Sequence, residues 1–197
     1  MANYSGFNEK TAERLILDAG AFYKNYNVEI DTPETASAKL LGATRGGGEF
    51  VATPEVRSLE IDGVKGRAKG LTVIDSWDVS ILANMLEMSA DLMKIALTGG
   101  EVDTIKDTDY DIIKGKNTIA ISDYIDNITW IGRLSGNNKP VIIQVLNALS
   151  TDGFTLTTED KNESVIPIRF SGHYDTENLD NPPFVIYYPK TVVAPIV

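Results

Sequence analysis

Between Leu71 and Leu86 the chain alternates apolar and polar residues along most of its length. Val73, Trp77, Val79 and Ile81 fall on one face, with Asp75 the exception, while Ser76, Asp78, Ser80 and Asn84 fall on the other. Successive side chains of a strand point to opposite faces, so the pattern predicts a long strand with one side on a core and one toward water. Residues 55–62 alternate as well, Arg57, Leu59 and Ile61 against Ser58, Glu60 and Asp62. Asp62-Gly63 then predicts a hairpin, because glycine accepts the positive φ of a tight turn. Segment 13–28 fits either period, and Gly20 with the aromatics after it predicts a strand or a bulge. Two more strands are expected at about 119–133 and 141–149, joined by the turn Ser135-Gly136-Asn137-Asn138-Lys139-Pro140. After a polar loop at 157–164, Val165–Gly172 and Phe184–Tyr188 supply the last apolar runs.

One helix is expected, over 90–98. Ser89 is a good N-cap, Asp91 suits the first turn, and Leu92, Ile95 and Ala96 follow helical spacing up to Gly99-Gly100. Around these elements lie a long polar loop (31–52, with Pro33 and Gly46-Gly47-Gly48), an acidic loop (101–116) and an extended tail (189–197). No repeat or composition shift divides the chain. The expected fold is mainly β: one domain over 1–197, a β-sandwich or partial barrel with one flanking helix and long loops.

Composition narrows the function. The 197 residues contain no cysteine, which excludes disulfides, thiolate metal sites and thiol chemistry. One histidine, His173, leaves no histidine cluster for zinc. No cofactor or metal is expected. The net charge of −10 opposes gripping DNA or an anionic membrane, since such affinity rests on Lys and Arg, but it does not oppose letting DNA pass. No run approaches the roughly 18 apolar residues of a membrane helix. Met1 to Gly6 carries neither a basic stretch nor an apolar core, so no secretory signal is expected.

Candidate chemistry is thin. Gly42 to Gly48 is glycine-rich but lacks the Gly-Lys-Ser/Thr ending of a phosphate loop and its strand-to-helix setting, and reads as a flexible loop. Gly63 to Gly70 carries Lys65, Arg67 and Lys69 among four glycines; it reads as a hairpin tip whose bases are solvated or meet acids of a neighbouring subunit. Asp107-Thr108-Asp109-Tyr110-Asp111 copies the first half of a calcium loop, but Ile112 stands where that loop needs glycine and Thr118 where it needs glutamate. It reads as a solvated acidic loop. No pair among the 28 acids is marked out by spacing as a glycosidase pair. Ser171, His173 and Asp175 are too close in sequence for a triad, whose members converge from separate segments. No catalytic residue is expected.

Gly42-Ala43-Thr44-Arg45-Gly46-Gly47-Gly48-Glu49-Phe50, then Pro54 to Gly66 with Glu60-Ile61-Asp62-Gly63, then Lys69-Gly70, resembles the major tail (tail tube) proteins of tailed bacteriophages, most of all those of Gram-positive hosts. In that family a glycine-rich loop feeds a strand ending in Glu-Ile-Asp-Gly, then a Gly/Lys turn and a long amphipathic strand. Ser89–Leu97 and Asp126-Asn127-Ile128-Thr129-Trp130 with its Gly-Asn-Asn-Lys-Pro turn keep the same order. The pattern spans about residues 13–150 and is specific over 42–70.

The resemblance implies a structural, non-enzymatic virion protein. It implies hexameric rings that stack into a tube lined by a continuous β-barrel, through which DNA is ejected without specific binding. The implied partners are further copies of the chain, the tape-measure protein, a tail terminator and baseplate or distal tail proteins. The implied location is the virion tail, with the host cytoplasm during assembly and no membrane. About four strands from each of six subunits, spaced ~4.8 Å and tilted near 45°, close a barrel with a bore of about 40 Å, room for a duplex about 20 Å wide. Six copies at −10 sum to about −60 per ring, and an acidic lining keeps DNA contacts weak. Alternation places Ser76, Asp78, Ser80 and Asn84 on the lumen. Arg45, Lys65, Arg67 and Lys69, with Val193 and Ile196 of the apolar tail, are the expected inter-subunit contacts. The alternative function is a glycan-binding β-sandwich stacking sugars on Trp77, Trp130 or Tyr187-Tyr188, although both tryptophans sit in apolar strand patterns and read first as core.

Overall fold

The computed structural model describes residues 6–8, 10–158 and 160–190. Among these residues nine strands and one α-helix run in the order β1 (Ile16–Lys24), β2 (Thr44–Ser58), β3 (Thr72–Met85), α1 (Ala90–Ala96), β4 (Glu101–Asp103), β5 (Ile112–Lys114), β6 (Ile125–Leu134), β7 (Val141–Ser150), β8 (Ile166–Ser171) and β9 (Phe184–Tyr187). Seven strands form one antiparallel sheet, ordered β1-β6-β7-β8-β3-β2, with β9 also on β7; β4 and β5 make a small second sheet. The large sheet curls until Gly47 of β2 lies 3.5 Å from Ala19 of β1 (measured from an added Cβ), giving a partial barrel. The mainly β architecture with one flanking helix is therefore as the sequence predicts.

The core sits inside this curl. Val79, Ile81, Ala83 and Met85 of β3 meet Ile166, Ile168 and Phe170 of β8, with Phe22, Ile128 and Val145 from β1, β6 and β7. Leu92 and Ala96 of α1 close one end. Ser89 caps that helix, its Oγ accepting from the N–H of Leu92 at 3.1 Å. Lys24 of β1 pairs with Asp91 beside it. On the outer face of β6 and β7, the segment after β1 is pinned by buried polar groups: Gln144 donates to the carbonyl of Tyr26 at 2.9 Å and to Thr129 at 2.8 Å. Tyr23, Tyr26 and Ala36 pack there on Ile131 and Ile142.

Several sequence expectations are corrected. The predicted mobile loop 31–52 is ordered in large part: Ser37–Lys39 is a 3-10 turn, and β2 already starts at Thr44. The acidic loop 101–116 contains the β4–β5 hairpin, because Val102, Ile112 and Ile113 supply enough apolar surface to pack beside α1. Val73 does not share a face with Trp77. Glu55 faces Ser76 while Val56 faces Ile74, so Asp75 is an extra residue in β3 and the alternation changes phase there. That bulge explains the one acidic exception in the pattern.

Segment 13–28, expected as a strand or a bulge, holds strand β1 with a bulge between Leu17 and Ala21, where Asp18 has φ 65° and Gly20 φ 71°. A side chain at Gly20 would stand 2.3 Å from the indole nitrogen of Trp130, which donates to the carbonyl of Ala19 at 2.9 Å.

Candidate functional site

The feature that stands out is a polar sheet face. By register, Glu49, Val51, Thr53 and Glu55 of β2 lie beside Leu82, Ser80, Asp78 and Ser76 of β3. Ser80, Leu82 and Asn84 in turn lie beside Ser171, Arg169 and Pro167 of β8. All four residues predicted for a lumen, Ser76, Asp78, Ser80 and Asn84, therefore share one face, directly behind the buried row Val79, Ile81, Ala83 and Met85. The sheet dictates this: one side is fixed by the core, so the register fixes the other.

Hydrogen bonds knit that face across strands. Ser76 Oγ donates to Glu55 Oε2 at 2.8 Å. Arg169 donates to Ser80 Oγ at 3.0 Å and reaches Glu49 at 3.3 Å and Asp152 at 3.4 Å. Arg169 is the member sequence reasoning missed; its place after Pro167 and Ile168 in an alternating strand was the available signal. Its single positive charge is shared among acids, so the face stays net negative with Glu55 and Asp78 outside its ion pairs.

The hairpin of β2 and β3 runs on beyond the body. β8 pairs with β3 only over Ser80–Met85, so among the described residues Thr72–Asp78 pairs with β2 alone, while Trp77 still packs on Phe184 of β9. On its other side β2 is the last strand of the sheet order. Past the Asp75 bulge, Val56 and Ile74 pair with each other and both stand exposed. Arg57 bonds Asp75 at 2.8 Å and stiffens this arm. At its end Asp62-Gly63 makes a turn as predicted, with Gly63 at φ 88°, but inside a longer connection from Leu59 to Leu71. Lys65, Arg67 and Lys69 project there, exposed and without an ion-pair partner among the described residues.

Arg45, expected at a subunit contact, bonds Glu163 of its own chain at 2.6 Å, and the guanidinium holds that carboxyl below the usual range. Val193 and Ile196 lie outside the described residues. The glycine run serves packing: a side chain at Gly48 would stand 2.0 Å from the Leu82 carbonyl, and Gly46 and Gly47 take φ of 74° and 67° where β2 bulges.

The other candidates sit in local structure. The half-calcium loop is a turn in which Asp107 accepts from the N–H groups of Asp109 and Tyr110, and no metal-ligating cluster occurs among the described residues. His173 packs edge-on against Tyr124, its Nδ1 3.1 Å from the Asn147 carbonyl. A cavity of about 430 Å³ between β1 and β2 is lined mainly by apolar and aromatic side chains, among them Phe22, Phe50, Ile81 and Trp130, with only Asp18 and Glu49 charged. Trp77 and Trp130 are both half-buried, Trp77 edge-on to Phe184 at 5.2 Å, which suits core rather than a sugar platform; Tyr187 and Tyr188 are exposed. No helix of the described residues is long and apolar enough to cross a membrane.

Compared with known proteins, the sequence matches no family model and no curated protein.

Proposed function

We propose that the chain is a structural subunit that polymerises as stacked hexameric rings into a bacteriophage tail tube, the conduit for DNA ejection. The observation that carries this reading is a sheet with a cross-linked, net-negative polar face and an unpaired edge. A strand edge left open along β2 exposes unused N–H and C=O groups, which in a lasting fold are covered or paired. Pairing them with another copy continues the sheet from subunit to subunit, and a continuous curved sheet closes as a barrel. The β2-β3-β8 portion, joined at its end by β7, supplies four strands per copy, the number the ~40 Å bore requires.

In this reading Ser76, Asp78, Ser80 and Asn84 line the bore. Small hydroxyls and carboxylates, with Arg169 already engaged, offer phosphates no free cation to hold, so DNA slides. The role is mechanical rather than catalytic. The partners are other copies of the chain, a tape-measure protein inside the growing tube, and terminator and distal tail proteins at its ends. The location is the virion tail, after assembly in the host cytoplasm.

The test is sedimentation velocity with negative-stain electron microscopy of concentrated protein. Rings or tubes with a bore near 40 Å are expected. A chain that stays monomeric at every concentration, including when seeded with sonicated material from concentrated samples, contradicts the proposal.

A further inference from the structure

Two apolar rows meet in the curled sheet. Register sets Phe22 of β1 beside Trp130 of β6, Trp130 beside Ile143 of β7, and Ile143 beside Ile186 of β9. Directly paired residues share a face, so these four side chains form one row across four strands. A second row, Phe50, Ile81 and Phe170, crosses β2, β3 and β8 in the same way. Members of both rows line the cavity of about 430 Å³, which takes in Phe22, Phe50, Ile81, Trp130 and Ile143 and reaches out to Ile16. Phe22 and Ile81 are 1% exposed whereas Ile16 is 57% exposed, so the cavity runs from the core to solvent.

Backbone shapes its mouth. Wall positions 46–48 are all glycine, and a side chain at Gly48 would come within 2.6 Å of the Phe22 ring. Across from them β1 bulges between Leu17 and Ala21, and Asp18 takes φ 65° there. Bulges re-aim side chains, and this one sets a carboxylate among the lining residues. Asp18 makes no ion pair among the described residues. Glu49, the other charged lining residue, has Arg169 at 3.3 Å. No Lys, Arg or His among the described residues lines the cavity. Next to Asp18, the carbonyl of Ala19 accepts from the Trp130 indole N–H at 2.9 Å, which fixes that ring in the wall.

We propose that this cavity binds a small amine with an apolar body. The body lies against Phe22, Phe50, Trp130 and Ile143, and the ammonium group sits between the Asp18 carboxylate and the Trp130 ring. The class of ligand follows from the lining. A concave, mainly apolar site takes an apolar body, and its few polar groups choose among ligands. An unpaired carboxylate favours a cation and repels an anion. An indole face attracts an ammonium group through its quadrupole. A neutral ligand would use the walls and leave both attractions unmade. Such a site belongs to the single chain and is independent of tube assembly.

Three probes with one body and different charge test it: para-tert-butylbenzylammonium, para-tert-butylbenzyl alcohol and para-tert-butylbenzoate. In titration calorimetry of the full chain below assembling concentration, the ammonium should bind about ten-fold more tightly than the alcohol, and the benzoate most weakly. Tetramethylammonium, a cation without the body, should not displace the bound ammonium. D18N should bring the ammonium to the affinity of the alcohol and leave the thermal midpoint unchanged, because asparagine also tolerates a left-handed backbone. I16W, which fills the mouth, should weaken the ammonium and the alcohol together. In W77F the one remaining tryptophan is Trp130, and its emission should change as the ammonium binds. Equal affinity for the three probes, or wild-type affinity of D18N for the ammonium, overturns the proposal. So does unchanged Trp130 emission, or an ammonium that fails to bind at millimolar concentration. Displacement by tetramethylammonium also overturns it, reducing the binding to general attraction by an acidic chain.

Discussion

The two halves of β3 are one strand in two environments. From Val79 to Met85 it lies between β2 and β8, with every second side chain buried against Ile166, Ile168 and Phe170. From Thr72 to Ser76 it has β2 alone, and Ile74 stands in solvent opposite Val56. The inner half alternates, while the outer half has adjacent Val73 and Ile74 and carries the bulge at Asp75. The inner half holds the monomer together, and the outer half leaves apolar surface in solvent. Two-stranded ribbons are marginal by themselves, so in the proposed assembly the arm gains stability from the copy it docks on.

Substitutions should separate the halves. The largest effect belongs to the inner region: F170A removes a fully buried ring and should cost about 3–5 kcal/mol by chemical denaturation. Next, G48V forces a side chain onto the Leu82 carbonyl and should cost about 3 kcal/mol, with a lower thermal midpoint. A smaller effect comes from the loop that seats α1. The Lys116 ammonium, with the N–H of Ala120, holds Asp123 ionised below the usual carboxylate range. The folded chain therefore takes up that proton at lower pH than the unfolded chain. The resulting stability is complete above about pH 4 and is lost as pH falls through the lowered value. D123N should remove that part of the pH dependence of the thermal midpoint. Smallest is the outer half: V56S/I74S should move monomer stability by less than about 0.5 kcal/mol while reducing polymer seen by sedimentation. An equal loss of monomer stability in V56S/I74S and F170A would erase the distinction between the halves.

Patterning made the sheet legible, and it did so where one face is buried. The row Val79, Ile81 opposite Ser76, Asp78, Ser80 could be read directly because a core imposes period two. The same rule failed at Val73, since a bulge inserts one residue without changing composition. Glycine misled in a related way: Gly46 to Gly48 reads as a mobile loop, yet these residues belong to β2, where Gly48 passes so close to the Leu82 carbonyl that a side chain does not fit and Gly46 and Gly47 take the positive φ of a bulge. Close approach between distant segments leaves no mark in local sequence beyond the glycine itself. Arg169 was missed for the same reason, its partners Glu49 and Ser80 lying on other strands. The capped helix and the Asp62-Gly63 turn were legible because their determinants are local.

If the Ser76-Asp78-Ser80 face lines a closed bore, assembly should shield it. The direct measurement compares thiol labelling of D78C and E29C, both exposed in the single chain, before and after assembly, with a maleimide carried on particles wider than 40 Å. Both should label in the monomer, and in the assembled protein D78C should be protected while E29C still reacts. Labelling of D78C at an unchanged rate after assembly would contradict it.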